Sequence, residues 1–429
     1  MTARRVLLTL FLGAVVGASA APLGAQSMAS RVGELIRFGN CDRALCLSTG
    51  PGPHGAHYIN AAASASAELL DFLTSSITAS VDRLPISATS GGTTFRFVGG
   101  APVRSTTSAG PIFAERAPTL GRGRILIGVN TTGISYDKLR GVPTEEISVN
   151  LAHQDVGTPG LGDPTFEDDV VGIVLNMNLD LQVTTLLATY GLTDDVDVSV
   201  AVPVIHASLD GRGVGTVSSV SGTPSGLHFF GTPENPSFTA ASAVNGSSTG
   251  LGDVAARVKV RLPKIGSGVS TAFLGDVRIP TGDADEFRGT GDFSARGLFV
   301  LSSSINSFSP HLNAGYALRT GDRQSDALLA TAGFDQLVTP AVTLAVDVLS
   351  EWQVGSSEVR LPPPIIFISP NQTIAGTNIP DRRDNLVGLS AGGRFLWSGF
   401  TLVLNGLLPL TDSGLQSNFV WTVGLERSF

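Results

Sequence analysis

From about residue 122 to the end, apolar side chains recur at every second position in stretches bounded by Gly, Pro, Asp and Ser. Strand side chains point alternately to opposite faces, so this period predicts strands with one apolar and one polar face. In 250–262, Val254, Ala256, Val258, Val260 and Leu262 share one face, and Asp253, Arg257, Lys259 and Arg261 the other. In 195–209, Val196, Val198, Val200, Val202 and Val204 oppose Asp197 and Ser199. The final stretch sets Phe419, Trp421, Val423 and Leu425 against Asn418, Thr422, Gly424 and Glu426, with Val420 out of phase, and stops on Phe429.

Twelve such strands are predicted, at 122–137, 168–191, 195–209, 250–262, 268–280, 291–304, 308–320, 325–337, 341–353, 383–397, 399–410 and 416–429. Each exceeds the roughly 9–11 residues that cross a bilayer at a tilt. Tight turns alternate with longer or more polar links, the pattern of short periplasmic turns and external loops. The expected fold is all-β: a transmembrane up-and-down antiparallel barrel of about 12 strands over 122–429, with a small, partly helical N-terminal region at 26–121. Its place is the cell outer membrane, with outer-membrane lipid around it. A last strand closed by a terminal Phe resembles the end that the barrel assembly machinery reads, which makes Phe429 the assembly signal. A soluble β-sandwich or propeller also uses alternating strands, but predicts neither the loop asymmetry nor the terminal Phe.

Lipid-facing Arg or Lys at the midplane costs about 2–4 kcal/mol, so the charged rows are assigned to the lumen. That face collects Asp197, Asp253, Arg257, Lys259, Arg261, Asp276, Arg278, Arg296, His311, Asp347, Arg394 and Glu426. The same parity adds Arg124, Asp180, Arg319 and Glu351. Pairs such as Arg257 with Asp276 or Asp347 with Arg394 fill a small barrel in one reading; in another, the charges select solutes or hold a plug.

The region before the barrel differs in kind. Arg4 and Arg5 precede the apolar run Val6–Val16, the arrangement of a cleavable secretory signal over 1–25. A helix is expected near 59–81, where Ala61, Leu69, Leu70, Phe72 and Leu73 recur at roughly helical intervals. It serves as a lumenal plug, a periplasmic docking helix or part of a spacer. Cys41 and Cys46 are close enough to close a disulfide loop in an oxidising compartment. Metal binding by the pair alone falls short of the four ligands that zinc normally takes, and His54 and His57 near Cys46 make a thin metal constellation that reads instead as a polar Gly-Pro loop. No cofactor motif is present. A formal charge of −8 without a basic block argues against nucleic acid. The acids Asp168, Asp169 and Asp283–Glu286 read as solvated loop residues rather than cation sites.

Four stretches carry a family resemblance: Gly110–Ala117 with Thr119–Gly123, Ala188–Asp194, Gly250–Asp253 and Pro280–Asp283. They resemble the outer-membrane transporters of the meta-pathway of phenol degradation family, which is similar to long-chain fatty-acid and aromatic-hydrocarbon uptake barrels. The resemblance implies passive passage of small hydrophobic molecules through a barrel with an internal pocket.

External loops hold more apolar side chains than solvation requires. Phe229 and Phe230, and Ile366 and Phe367, are candidates for capturing a hydrophobic solute, or they bury one another. Gly388-Leu389-Ser390-Ala391-Gly392 matches a nucleophile-elbow pattern, but it sits mid-strand, where it reads as a narrow strand face. The expected function is therefore a channel for small hydrophobic or aromatic solutes rather than an enzyme. The alternative is a structural or adhesive surface barrel with a closed lumen.

Overall fold

The computed structural model describes residues 26–42, 44–49, 67, 70–71, 73–81, 95–98, 101–104, 109–152, 167–222, 228–266, 268–321, 324–356, 361–367 and 371–429. The expected signal at 1–25, residues 59–66 of the expected helix, and His54 and His57 lie outside the described residues.

Thirteen strands dominate the fold: β1 (Ile125–Tyr136), β2 (Asp169–Gly191), β3 (Val196–Ser219), β4 (Thr239–Leu251), β5 (Val254–Ile265), β6 (Val269–Ile279), β7 (Ser294–Ser303), β8 (Phe308–Arg319), β9 (Ala327–Thr339), β10 (Val342–Gln353), β11 (Leu386–Trp397), β12 (Phe400–Pro409) and β13 (Val420–Ser428). All but β4 are staves of a closed 12-strand antiparallel barrel, each beside its neighbour in sequence, with β13 paired to β1. Closure leaves no unpaired sheet edge in lipid. Phe429 and Ile125 exchange backbone hydrogen bonds of 2.8 and 3.2 Å, so the chain's last residue completes the first strand's ladder.

Tight links at 192–195, 304–307, 340–341 and 398–399 gather at the end that holds Ile125 and Phe429, which short turns mark as the periplasmic end. Valines 200, 204 and 258, Phe273, Phe299, Leu312, Leu344, Leu404 and Trp421 stand exposed on the outer surface. Such a band is a liability in water and the proper surface in hydrocarbon. Among them the basic Arg427 lies with its guanidinium 4.7 Å from the Phe400 ring centroid and 5.0 Å from that of Phe429. Two aromatic faces thus accommodate the cation at the periplasmic rim.

β2 and β3 are 23 and 24 residues long, about twice what crossing requires. Their outer halves, with β4, form a ribbon above the membrane. β4 lies in a segment expected to be a loop; its Gly-, Ser- and Ala-rich sequence hides an alternation that pairs with β3 from Thr239↔Thr216 to Leu251↔Val204.

Polarity inverts along this ribbon. Its inner face carries Ile173, Leu175, Met177, Leu179, Leu181, Ile205 and Leu209, all buried. Its outer face carries polar residues, among them Asp180, which is exposed rather than lumenal. Charge on that strand points out because the segment has already left the hydrocarbon. Helix α1 (Met28–Glu34), N-capped by Ser27, fills the inner face with Met28 and Val32, followed by Leu35 and Phe38. The fit is close: a Cβ on Gly213 would sit 1.8 Å from the Leu35 carbonyl oxygen. Ser242 Oγ donates to the same oxygen at 2.6 Å. Burial of each such side chain contributes about 1.5–3 kcal/mol.

Cys41 and Cys46 are disulfide-bonded with their Cα atoms 5.6 Å apart. The strand that follows, Leu47–Thr49, pairs with His228–Thr232 at the outer end.

Candidate functional site

Residues 109–120 cross the barrel interior near its periplasmic end without regular secondary structure. A buried irregular segment must find partners for its backbone groups, and side chains on the lumenal face supply them. Thr343 Oγ1 accepts from Ala109 N at 3.0 Å, and Arg394 Nε donates to Pro111 O at 3.0 Å. Asn313 bonds both backbone groups of Glu115, at 2.8 and 2.9 Å. Ser302 Oγ accepts from Ala117 N at 3.0 Å, and the Asp197 carboxylate accepts from Leu120 N at 2.9 and 3.1 Å. Small apolar seats complete the fit: Ile112 against Ala345 and Val403, Ala117 against Ala272 and Val300, Leu120 against Leu126 and Ala201.

Charges hold the same segment. Lys259 Nζ lies 3.0 Å from Glu115 Oε2 and donates to Arg116 O at 3.1 Å. Arg257 pairs with Asp276, which Arg296 also reaches at 3.1 Å, and Arg278 is buried on the same face. Arg116 lies 3.6 Å from Asp335, which also stands 3.7 Å from His311; the other nitrogen of that ring is 2.6 Å from Asp347. Arg394 pairs with Glu426 at 2.6 Å rather than with Asp347. Arg319 and Glu351 pair at 3.1 Å farther out.

Two assigned lumen residues have other work. Arg261 meets Asp195 at the exposed periplasmic rim. Asp253 accepts from Gly282 N and Thr290 N at 2.9 Å each, clasping the 281–292 loop. The strand parity that put it in the lumen is broken at Gly252-Asp253, where the chain steps from β4 to β5. Glu115 and Asp335, both buried, went unassigned. Glu115 lies outside any strand, though the pair Glu115-Arg116 in an otherwise apolar stretch marks it; Asp335 sits in β9, where apolar residues on both faces blur the period.

Outward of this crossing lies a cavity of about 260 Å³. Phe113, Glu115, Arg257, Arg296 and Asn313 form its inner floor, with Ile134, Tyr136, Leu329, Leu349, Leu386, Leu407 and Val420 around it. Leu415–Ser417 lie at its outer side, and Ser80 reaches it from a helical stretch at 73–81. Leu73, Ile77 and Val81, one turn apart, bury into the same core as Ile134 and Tyr136. An apolar chamber with a few convergent polar groups is the usual form of a small-molecule site. Beside Leu415, which pairs with Leu139, the buried Arg140 forks onto Asp384 at 2.9 and 3.2 Å and ties the outer loops together.

Of the capture candidates, Phe229, Phe230 and Phe367 are buried and only Ile366, 62% exposed, faces solvent. Phe230 stacks edge-on to Phe38, 5.3 Å between centroids, so this loop aromatic covers the N-terminal segment. Ser390 lies opposite Asp347 in the ladder, and its hydroxyl donates to Asn405 Oδ1 at 2.9 Å.

The four motifs meet in pairs. Thr119 Oγ1 donates to Asp194 O at 2.6 Å, and Arg122 N to Asp194 Oδ1 at 3.2 Å. Thr281 Oγ1 donates to Gly252 O at 2.7 Å. They are clasps, one at each end of the barrel.

Residues 157–365 match the model of the family described as MetA-pathway of phenol degradation. It is the same family that the motifs resemble. The fold is similar to an outer membrane channel from Pseudomonas putida F1, at 14% identity and TM-score 0.42, over 73% of this chain and 98% of that one. A Pseudomonas aeruginosa FadL homologue follows at 12% identity and TM-score 0.30, over 71% and 89%. The CymD monoaromatic hydrocarbon channel stands at 9% and 0.27, over 72% and 89%. At such scores these likenesses carry no argument about substrate. No curated protein matches the chain by sequence.

Proposed function

We propose that the protein is a non-enzymatic channel for small hydrophobic or aromatic solutes, with the chain at 26–121 serving as its plug. The observation that carries this is the apolar chamber of about 260 Å³ between the 109–120 crossing and the outer loops. A solute entering from outside sheds water among Ile134, Leu349, Leu386 and Leu407, then meets Arg296 and Asn313 at the floor. Passage to the periplasm requires residues 109–120 to shift, and their ties to the wall are non-covalent. Ser390 takes no part, since its proton is committed to Asn405.

The test is single-channel current of the refolded full-length protein in planar bilayers, with and without aromatic and fatty solutes. Discrete conductance that such solutes block is the expected result. A second reading, a surface barrel with a shut lumen, draws on the same crossing; an inserted, heat-modifiable barrel that never conducts would favour it.

A further inference from the structure

We propose that the outward face of the β2–β3–β4 ribbon is a binding site for the sugar head groups of the outer-leaflet glycolipid. Three strands change character at one level. The last lipid-type row is Thr184, Val204 and Leu251; the next outward row, in register, is Gln182, His206 and Thr249. Above it follow Asp180, Ser208 and Ser247, then Asn178, Asp210 and Asn245. With two residues between rows, these three rows span about 13 Å along the strands. It continues the lipid-facing surface without a break, on the same strands and the same face, so whatever tops the lipid tails lies against it.

The chemistry fits polyols. Amides, carboxylates, hydroxyls and the His206 imidazole offer both donors and acceptors, and no Phe, Tyr, Trp or aliphatic side chain interrupts those three rows. The side chains of Asp180, Asn178, Asp210 and Asn245 make no hydrogen bond to another described residue, whereas His206 is held by Thr249 at 2.7 Å. The small Ser208, Ser247 and Gly246 leave a hollow of about 350 Å³ between the acids and amides. On the opposite face the ribbon is already covered by α1 and Leu35, so only this side is available.

Full-length protein in phospholipid nanodiscs would be titrated with lipid A and with rough lipopolysaccharide carrying core sugars, following thermal unfolding by heat-modifiable gel mobility. Rough lipopolysaccharide should raise the unfolding temperature and lipid A should not, because its sugars end at the first polar row. The double variant Asp180→Ala/Asp210→Ala should bind the core-bearing form about tenfold more weakly, as expected for lost hydrogen bonds to charged groups. These side chains make no hydrogen bond to another described residue, so the variant should fold; its unfolding temperature without glycolipid checks this. Equal binding by the variant, or no preference for core sugars, would overturn the proposal. So would efficient disulfide cross-linking of Asn178→Cys in native membranes, which would mean that a second copy covers the face.

Discussion

The ammonium of Lys259, on a barrel stave, lies 3.0 Å from the carboxylate of Glu115, in the chain that precedes the barrel, and both are buried. Removing one member of a buried pair leaves a charge that the site was built to offset, at a cost of about 3–5 kcal/mol. Glu115→Ala should therefore lower the unfolding temperature and loosen the crossing segment. Paired planar-bilayer recordings should show a larger or more often open channel than the parent. Loss of thermal stability with unchanged current would separate Glu115 from gating.

At the other end, the tightest constraint on the N-terminal segment is Gly213. A methyl there would meet the Leu35 carbonyl oxygen at 1.8 Å, an approach that backbone against backbone cannot absorb. Gly213→Ala should lift α1 from the ribbon while the barrel below stays intact. Protease added outside whole cells should then cut near residues 26–40, where the parent resists. Equal resistance would show that the ribbon gives way instead.

Most of the barrel was legible in the sequence because lipid imposes a strict rule. Val254 to Leu262 alternate with Arg257 and Lys259 since one face meets hydrocarbon and the other does not. The rule lapses where the membrane ends. Asp180 obeys the opposite polarity, inside apolar and outside wet, and the period alone cannot say where the inversion falls. Partners were harder still. That Arg394 holds Glu426 and Pro111 O, rather than Asp347, depends on how the 109–120 segment threads the lumen, which no local pattern encodes. The clasping of Asp253 was hidden by a two-residue break between strands.

Asp168 gives a pH dependence outside the membrane. Partial burial pushes its carboxyl up, but hydrogen bonds from Ser221 and Ser219, at 2.7 and 2.9 Å, outweigh this and hold its pKa below 3.8. A depressed carboxylate contributes stability above its unfolded pKa of about 3.9 and loses it as pH falls through the folded value. Hydrogen exchange at the Ser221 amide should thus stay protected at neutral pH and become faster, relative to an unstructured amide, only as pH falls below the ordinary carboxylate range. Asp168→Asn should remove that acid step; its persistence in the variant would assign it to another group.

The proposed plug has two separable parts, and deletion can tell them apart. Removing 26–108 takes away α1, the disulfide loop and the helical stretch whose Ser80 lines the chamber, but leaves Ala109–Leu120 tied to Thr343, Arg394, Asn313, Ser302 and Asp197. The barrel's own ladder is untouched, so the variant should still insert and show heat-modifiable mobility. Conductance should rise modestly, because the floor of the chamber remains. Adding Glu115→Ala to the deletion should raise it further, since the charge that ties the remaining crossing to Lys259 is then gone. If the deletion alone gives the full increase, residues 109–120 are part of the wall and the gate lies above them; if neither change alters the current, the N-terminal region is not a plug.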